Sequence, residues 1–484
     1  MRRIAAGVRS IAAIGVMLVA TAPIQAQSFE RSHRRPPLLL PSPAFAPQLD
    51  TVRLQALDRS PQPATLVIRL MLLGLTIIVA LISIYSIRHY VFAISRMFGR
   101  QRHPYSDIIT AEWPPITVLI PAHNEELVIG EMLRLLLNAD YPRDRLTIIP
   151  INDRSEDRTG EIIDSYAARY PGVVAPFHRS DAKGGKAAAL QDAEKLVQTD
   201  IELVFDADYL PARGVLKLLV APFFDPEVGA VMGRVIPINL SRNFLTRLQE
   251  LERSGGYQVD QQARMNLALV PQYGGTVGGV RRRALAEIGG WKEESLAEDT
   301  DLTYRLLLHG HLTAYENRAE CYEEVPEVWP ERIRQIKRWS QGHNACLRHY
   351  LLPLLRSNMV GGMPRKIDGL LLLGVFALPP FTIIGWLLGL GLFYLGYIPI
   401  HGFVAILAVT AYSTLGNFAA FFQVAAAVRL DGSRARIRLL PLLLGGFLIS
   451  TVAIVRSMLP RHLRPSRNTA LIWDKTKRYR QAQE

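Results

Sequence analysis

Apolar residues fall along this chain in two contrasting patterns. Between residues 105 and 345 they come as short runs, ITVLI at 116–120, LTIIPI at 146–151 and IELVF at 201–205. Amphipathic stretches at 126–137, 159–168 and 185–196 separate these runs. Short apolar runs alternating with helical periodicity predict an α/β domain with parallel strands. The second pattern is a long run without charge. Residues 70–87 (LMLLGLTIIVALISIYSI) approach the roughly 20 apolar residues that cross a bilayer, and similar runs return at 370–395, 403–428 and 439–459. The soluble domain therefore lies inserted between transmembrane helices.

The amino terminus differs from both patterns. Arg2, Arg3 and Arg9 precede an apolar run, which predicts either a signal peptide over 1–26 or a first membrane helix; both leave Gln27 outside. Residues 27–64 are rich in Pro, Arg and Ser and read as an external linker. The expected order continues with a transmembrane helix over 65–95 and the α/β domain over 105–345. An interfacial helix region (346–366), transmembrane segments (367–459) and a basic tail (460–484) complete it.

Charge refines this picture. The 484 residues carry a net charge of +13 with a pI near 9.8. Much of the excess flanks the apolar runs, as at Arg88, Arg96, Arg100 and Arg102, and again at Arg429, Arg434, Arg436 and Arg438. Such clusters mark cytoplasmic membrane edges rather than a nucleic-acid footprint. A multi-pass protein of the inner (plasma) membrane with a cytoplasmic catalytic domain is expected, with the lipid bilayer and no nucleic acid as partner. One conflict remains in this reading. Three carboxyl-terminal spans put the basic tail outside, so either the last segment lies along the interface or re-enters, or one span is miscounted. The two cysteines, Cys321 and Cys346, have neither metal-ligand spacing nor a disulfide framework.

The candidate chemistry sits where strands end. Asp206 and Asp208 follow the run 201–205, and paired carboxylates there can hold a hard divalent cation, although a polar turn uses the same residues. After 116–120, backbone groups around Pro121 can meet a base or ribose, and Glu125 can accept from sugar hydroxyls. Asp153, ending the second run, can accept from a uracil imide or a ribose hydroxyl. Lys183 and Lys186 surround two glycines at a helix start, a combination that suits a diphosphate; the Walker spacing is absent. The segment 272–280 (QYGGTVGGV) reads as a glycine-rich turn. At 298–301 (EDTD), a carboxylate could take a proton from an attacking hydroxyl, or simply serve a helix N-terminus. Gln335, Arg338 and Trp339 put a polar donor, a cation and an indole within about one helical turn. An indole stacks on a sugar face and a guanidinium clamps phosphate, but both also anchor interfacial helices.

PAHNEE, NDRSEDRT, KGGKAAAL, DAD, EDTD and QIKRW occur here in one order. In that order and spacing the sequence resembles the membrane-embedded family 2 glycosyltransferases, the group of cellulose, chitin, hyaluronan and poly-N-acetylglucosamine synthases. The resemblance implies a GT-A nucleotide-sugar-binding domain that uses Mg²⁺ or Mn²⁺. It further implies inverting hexosyl transfer from a UDP-sugar to a growing β-linked polysaccharide, processive and coupled to export, with export or accessory subunits as partners. By the same resemblance Asp153 contacts uridine, Lys183 or Lys186 holds the nucleotide, and Asp206 and Asp208 hold UDP and the metal. Asp299 is the base, and Gln335, Arg338 and Trp339 line the acceptor end and close over the diphosphate. Arg154 stands where the family has glycine. The acceptor is a polysaccharide or a glycolipid, and two alternatives stay open: a non-processive transferase adding one sugar to a lipid carrier, and an inactive sugar-nucleotide sensor.

Overall fold

The computed structural model describes residues 65–103, 105, 112–180, 185–358, 362–413, 421–432 and 434–458. The predicted amino-terminal segment 1–26, the linker 27–64, the basic tail and Lys183 lie outside the described residues.

Helix α1 (Leu66–Phe98) opens on a Thr65 cap, whose hydroxyl accepts from the Ile68 N–H at 3.4 Å, and ends at Gly99. Leu66, Val67, Leu70, Leu73 and Ile77 are exposed along it, an apolar outer surface on a helix long enough to cross a bilayer. Its 33 residues extend roughly 50 Å, beyond the ~30 Å of a hydrocarbon core. The surplus packs on protein: Arg88 and His89 are buried, and Arg96 donates to the Gln258 carbonyl at 2.7 Å.

One sheet forms the α/β domain, in the order β3-β2-β1-β4-β7-β6-β8-β5. The three predicted runs become β1 (Ile116–Ala122), β2 (Leu146–Asp153) and β4 (Ile201–Val204), and β1 lies parallel to both others. A short β3 (Phe177–Arg179) extends β2 in parallel. Beyond β4 the sheet is mixed. β7 (Gly278–Arg281) runs antiparallel to β4 and to β6 (Val228–Pro237), β8 (Leu312–Glu323) lies parallel to β6, and β5 (Leu210–Pro211) pairs antiparallel at its edge. Helices α2 (Ile129–Leu137), α3 (Thr159–Arg169) and α4 (Lys186–Glu194) connect the parallel strands where amphipathic periodicity predicts them.

β7 corrects the sequence expectation of a turn. A Cβ on Gly278 would stand 2.6 Å from the Val231 carbonyl oxygen, and one on Gly279 would run into Leu203. These glycines let neighbouring strands and side chains close over the centre of the sheet.

Within β4, Glu202 is fully buried, with one carboxyl oxygen accepting from the Trp291 indole N–H at 3.1 Å. Burial pushes its pKa from the ordinary 4.5 up to about 8. A carboxyl that keeps its proton in the fold contributes stability at low pH, and that contribution is lost as pH rises from 4.5 towards about 8. Glu202→Gln is expected to flatten the fall of melting temperature across that window. An unchanged pH profile in the variant would show that Glu202 ionises normally.

Helix α5 (Phe244–Ser254) starts at an Asn243–Thr246 capping box and continues into a π-helical segment, Gly255–Gln261. Two further helices matter to the site: α6 (Glu298–Leu308) and α7 (Trp329–Arg356). α7 packs on α8 (Gly362–Leu373) and on a later apolar helix, where Ser340 and Ser457 hydroxyls meet at 2.9 Å.

The predicted span over 370–395 is divided. α8 ends at Leu373, a 3-10 turn occupies Val375–Ala377, and α9 (Leu378–Tyr394) begins afresh with Pro379 and Pro380 in its first turn. Proline is tolerated there because first-turn N–H groups have no intrahelical partner. The predicted span over 403–428 falls on α10 (Ile400–Ser413) and α11 (Phe421–Leu430), and α12 (Leu443–Met458) closes the described chain. Among the described residues, three helical stretches are long and apolar enough to cross a membrane: Leu66–Phe98, Val375–Tyr394 and Arg436–Met458.

Candidate active site

The carboxyl ends of β1, β2 and β4 open on a crevice, the place where α/β sheets expose loop residues to ligands. A cavity of about 380 Å³ lies there, lined by Pro121, Glu125, Lys186, Asp206, Asp208 and Asp299 on one side. Gln335, Arg338 and Trp339 from α7 line the other side. Nine of the predicted site residues thus surround one space.

Asp206 leaves β4 with its N–H donating to the Thr276 hydroxyl at 3.0 Å, which ties the strand end to the loop before β7. The Lys186 ammonium sits 2.6 Å from Asp206 Oδ1, donates to the Gly275 carbonyl at 2.8 Å and lies 3.6 Å from Glu298 Oε1. Burial works against that charge, but Asp206 and Glu298 outweigh it and hold Lys186 above its ordinary pKa. Asp208 is buried beside it. Among the described residues there is no cluster of three or more acidic, His or Cys side chains able to cage a metal. Two carboxylates still fit Mg²⁺ or Mn²⁺, because such ions are commonly held by one or two carboxylates together with substrate phosphates.

Asp153 does not line the cavity. It is buried behind it, accepting from Arg179 at 2.6 Å and Arg154 at 3.1 Å, while its second oxygen accepts from the Gly185 N–H at 3.3 Å. Gly185 does line the cavity, so Asp153 meets the site through the backbone. Arg154 adopts φ +58°, the left-handed conformation that glycine takes freely. The turn is therefore retained at a strain cost of about 1–2 kcal/mol.

Glu298 and Asp299 open α6, and burial pushes both carboxyls above their ordinary pKa values. Asp299 Oδ1 accepts from the Thr300 N–H at 2.6 Å. The Thr300 hydroxyl lies 3.2 Å from His343 Nδ1, and His343 Nε2 lies 3.1 Å from the Leu372 carbonyl. A carbonyl only accepts, so Nε2 carries the proton and Nδ1 accepts from Thr300. Burial lowers the His343 pKa to about 4, which keeps the ring neutral.

Several lining residues escape the sequence reading. Arg253, Tyr257, Asp260 and Gln261 enter the cavity from the end of α5 and its π-helical continuation. π segments recur at functional sites because the extra residue re-aims side chains. Arg253 pairs with Glu323 at 2.8 Å, and Tyr209 donates to the other Glu323 oxygen at 2.7 Å. The Trp339 ring has the Arg253 and Arg332 guanidiniums 5.2 and 5.3 Å from its centroid, so arginines already occupy part of its π surface. His343 had a signal available: it follows Gln335 and Trp339 at intervals of four, on the same face of α7.

Residues 114–342 match the model of the family described as "Glycosyltransferase like family 2". Together with the sheet order, this makes residues 114–342 similar to family 2 glycosyltransferases and gives them a GT-A fold, flanked by helices long and apolar enough to cross a membrane. The chain is 35% identical over 242 residues to the probable glycosyltransferase YdaM of Bacillus subtilis, an alignment covering 50% of this chain and 58% of that protein. It is 32% identical over 302 residues to the beta-monoglucosyldiacylglycerol synthase of Trichormus variabilis, covering 60% and 62%. The chain spans about three-fifths of the length of these curated relatives. In fold it is similar to the mannosyltransferase PcManGT from Pyrobaculum calidifontis, solved in complex with GDP-Man and Mn²⁺. That match has a TM-score of 0.50 and 21% identity, and covers 80% of this chain and 99% of the other.

Proposed function

We propose that the chain is an inverting hexosyltransferase that moves a sugar from a UDP-sugar to a lipid acceptor at the membrane surface. One observation carries the choice of acceptor. The cavity that holds Asp208 and Asp299 is also walled by Leu372, Val375 and Phe376, at the head of a membrane-spanning helix, and by Arg88 of α1. An acceptor whose tail stays in the bilayer can present its hydroxyl there without leaving the interface. A relative named for beta-monoglucosyldiacylglycerol synthesis supports the same choice over the processive polysaccharide reading.

In this reading Pro121, Glu125 and Gly185, the last held by Asp153, receive the nucleoside. Lys186 and Arg338 face the diphosphate, and Gln335 and Trp339 border the acceptor. Asp299 accepts the proton of the acceptor hydroxyl as its oxygen bonds to the anomeric carbon. The bond from that carbon to the diphosphate breaks on the opposite face, which inverts the configuration. Asp206 and Asp208 would hold Mg²⁺ or Mn²⁺, which supplies charge stabilisation to the departing diphosphate. Neutral His343, through Thr300, keeps the Asp299 end of α6 in register with α7 and α8.

Membranes containing the full chain, supplied with radiolabelled UDP-sugars and with GDP-mannose as a control donor, test the proposal. Label is expected to enter the chloroform–methanol phase as a one-sugar lipid. Label in a high-molecular-weight polymer would instead establish a processive synthase. No transfer from any donor would favour the sensor alternative.

A further inference from the structure

A second cavity, of about 170 Å³, lies on the other side of the buried charges that border the active site. Arg102, Arg264 and Arg365 line it together with apolar side chains such as Met265, Leu269 and Leu307, and among the described residues no carboxylate does. His311 also lines it, but its ring is engaged by Glu287 at 2.8 Å. Arg365 is anchored on the rim by donating to the Ala268 carbonyl from Nε and NH2, at 3.3 and 3.2 Å.

Arg264 is the informative residue. It is 0% exposed; NH1 donates to the Val270 carbonyl at 3.0 Å and to Asp368 at 2.5 Å, yet among the described residues NH2 has no hydrogen-bond partner. A buried guanidinium with an unused donor is costly unless an acceptor completes it. The position of the cavity narrows the acceptor. Arg102 follows the end of α1, and Arg365 stands in the first turn of α8, which leads to the next membrane-spanning helix. The cavity therefore lies where two membrane elements emerge on the catalytic side.

We propose that this cavity binds a phosphate group, presented by an anionic phospholipid headgroup or as free phosphate. Guanidiniums fit phosphate oxygens, and the apolar walls match the glycerol or acyl end of a lipid. The site has a direct line to catalysis. Arg264 lies 3.5 Å from Asp260, which pairs with Arg88 at 3.1 Å, and both Asp260 and Arg88 line the active-site cavity. Phosphate bound to Arg264 weakens its hold on Asp260 and so alters the π-helical wall of the active site.

The test uses the full chain in neutral detergent. Phosphatidylglycerol retention, with phosphatidylcholine as reference, is read by native mass spectrometry, and melting temperature is read with inorganic phosphate against chloride at equal ionic strength. Arg102→Gln/Arg365→Gln is expected to weaken retention about tenfold, as the loss of charge-assisted bonds requires. The charge-matched control Arg134→Gln/Arg158→Gln, at exposed positions, is expected to bind as wild type. Should the double variant fold poorly, Arg102→Gln alone, at an exposed side chain, is expected to show a smaller loss. Stabilisation by inorganic phosphate without lipid retention would identify the free anion as the ligand. Equal binding of both probes by wild type, control and cavity variants would overturn the site.

Discussion

Asp299→Asn is expected to lower turnover by about 10²- to 10⁴-fold, the usual contribution of a positioned base, while UDP affinity stays near that of the wild type. Asparagine keeps the oxygen that accepts from the Thr300 N–H, so the geometry at the start of α6 survives. Stability separates this reading from a merely helix-capping acid. Burial raises the Asp299 pKa despite the Thr300 N–H bond and Lys186, so the ionised side chain is a net cost to the fold at neutral pH. The sign follows: a raised carboxyl stabilises the fold at low pH and loses that contribution as pH climbs through its folded pKa. The neutral variant should therefore melt at the same temperature or higher. An acid serving only the helix dipole would instead cost about 0.3–1 kcal/mol on removal. In the wild type, turnover should fall on acidification at a pH above the ordinary 3.8 of an aspartate, since Asp299 must be ionised to act. Retained turnover in a folded Asp299→Asn enzyme would pass the role to Glu298.

The strand ends are the legible part of this molecule, for a physical reason. A parallel strand covered on both faces is a continuous apolar run, and the residues that follow such a run sit at the crevice end of the sheet; Asp153, which ends β2, is held behind the cavity by Arg179 and Arg154. Pro121, Asp206 and Asp208 are read from such runs, and Lys186, Asp299 and the α7 trio from helix starts and helical spacing. β7 is not legible, because its glycines are chosen for the close approach of Leu203 and Val231, contacts made by residues far away in sequence. Arg253 and Asp260 are hidden for a related reason. Asp260 lies within a π-helical segment, which shifts residues out of the 3.6-residue pattern, and Arg253 is turned to the site by its pairing with Glu323, a residue far away in sequence. The division of the 370–395 run rests on a 3-10 turn at Val375–Ala377 that leaves mean hydropathy unchanged.

Removing the second carboxylate of the DAD turn is the other large effect expected. Asp208→Asn should reduce turnover about 10³-fold, the several kcal/mol that a divalent cation supplies to a departing diphosphate. Asp208 is the sharper probe of the pair. Asp206 is bound to Lys186 at 2.6 Å, and its charge helps to hold that ammonium protonated, so Asp206→Asn would disturb metal and lysine together. Binding gives an independent readout. With UDP present, added Mn²⁺ should raise the melting temperature of the wild type in proportion to occupancy, and Asp208→Asn should lose most of that rise while its metal-free melting temperature stays close to wild type. EDTA should silence the wild type, and excess Mn²⁺ should restore it. Undiminished transfer in EDTA would remove the metal from the mechanism and leave Lys186 and Arg338 as the groups that neutralise the diphosphate.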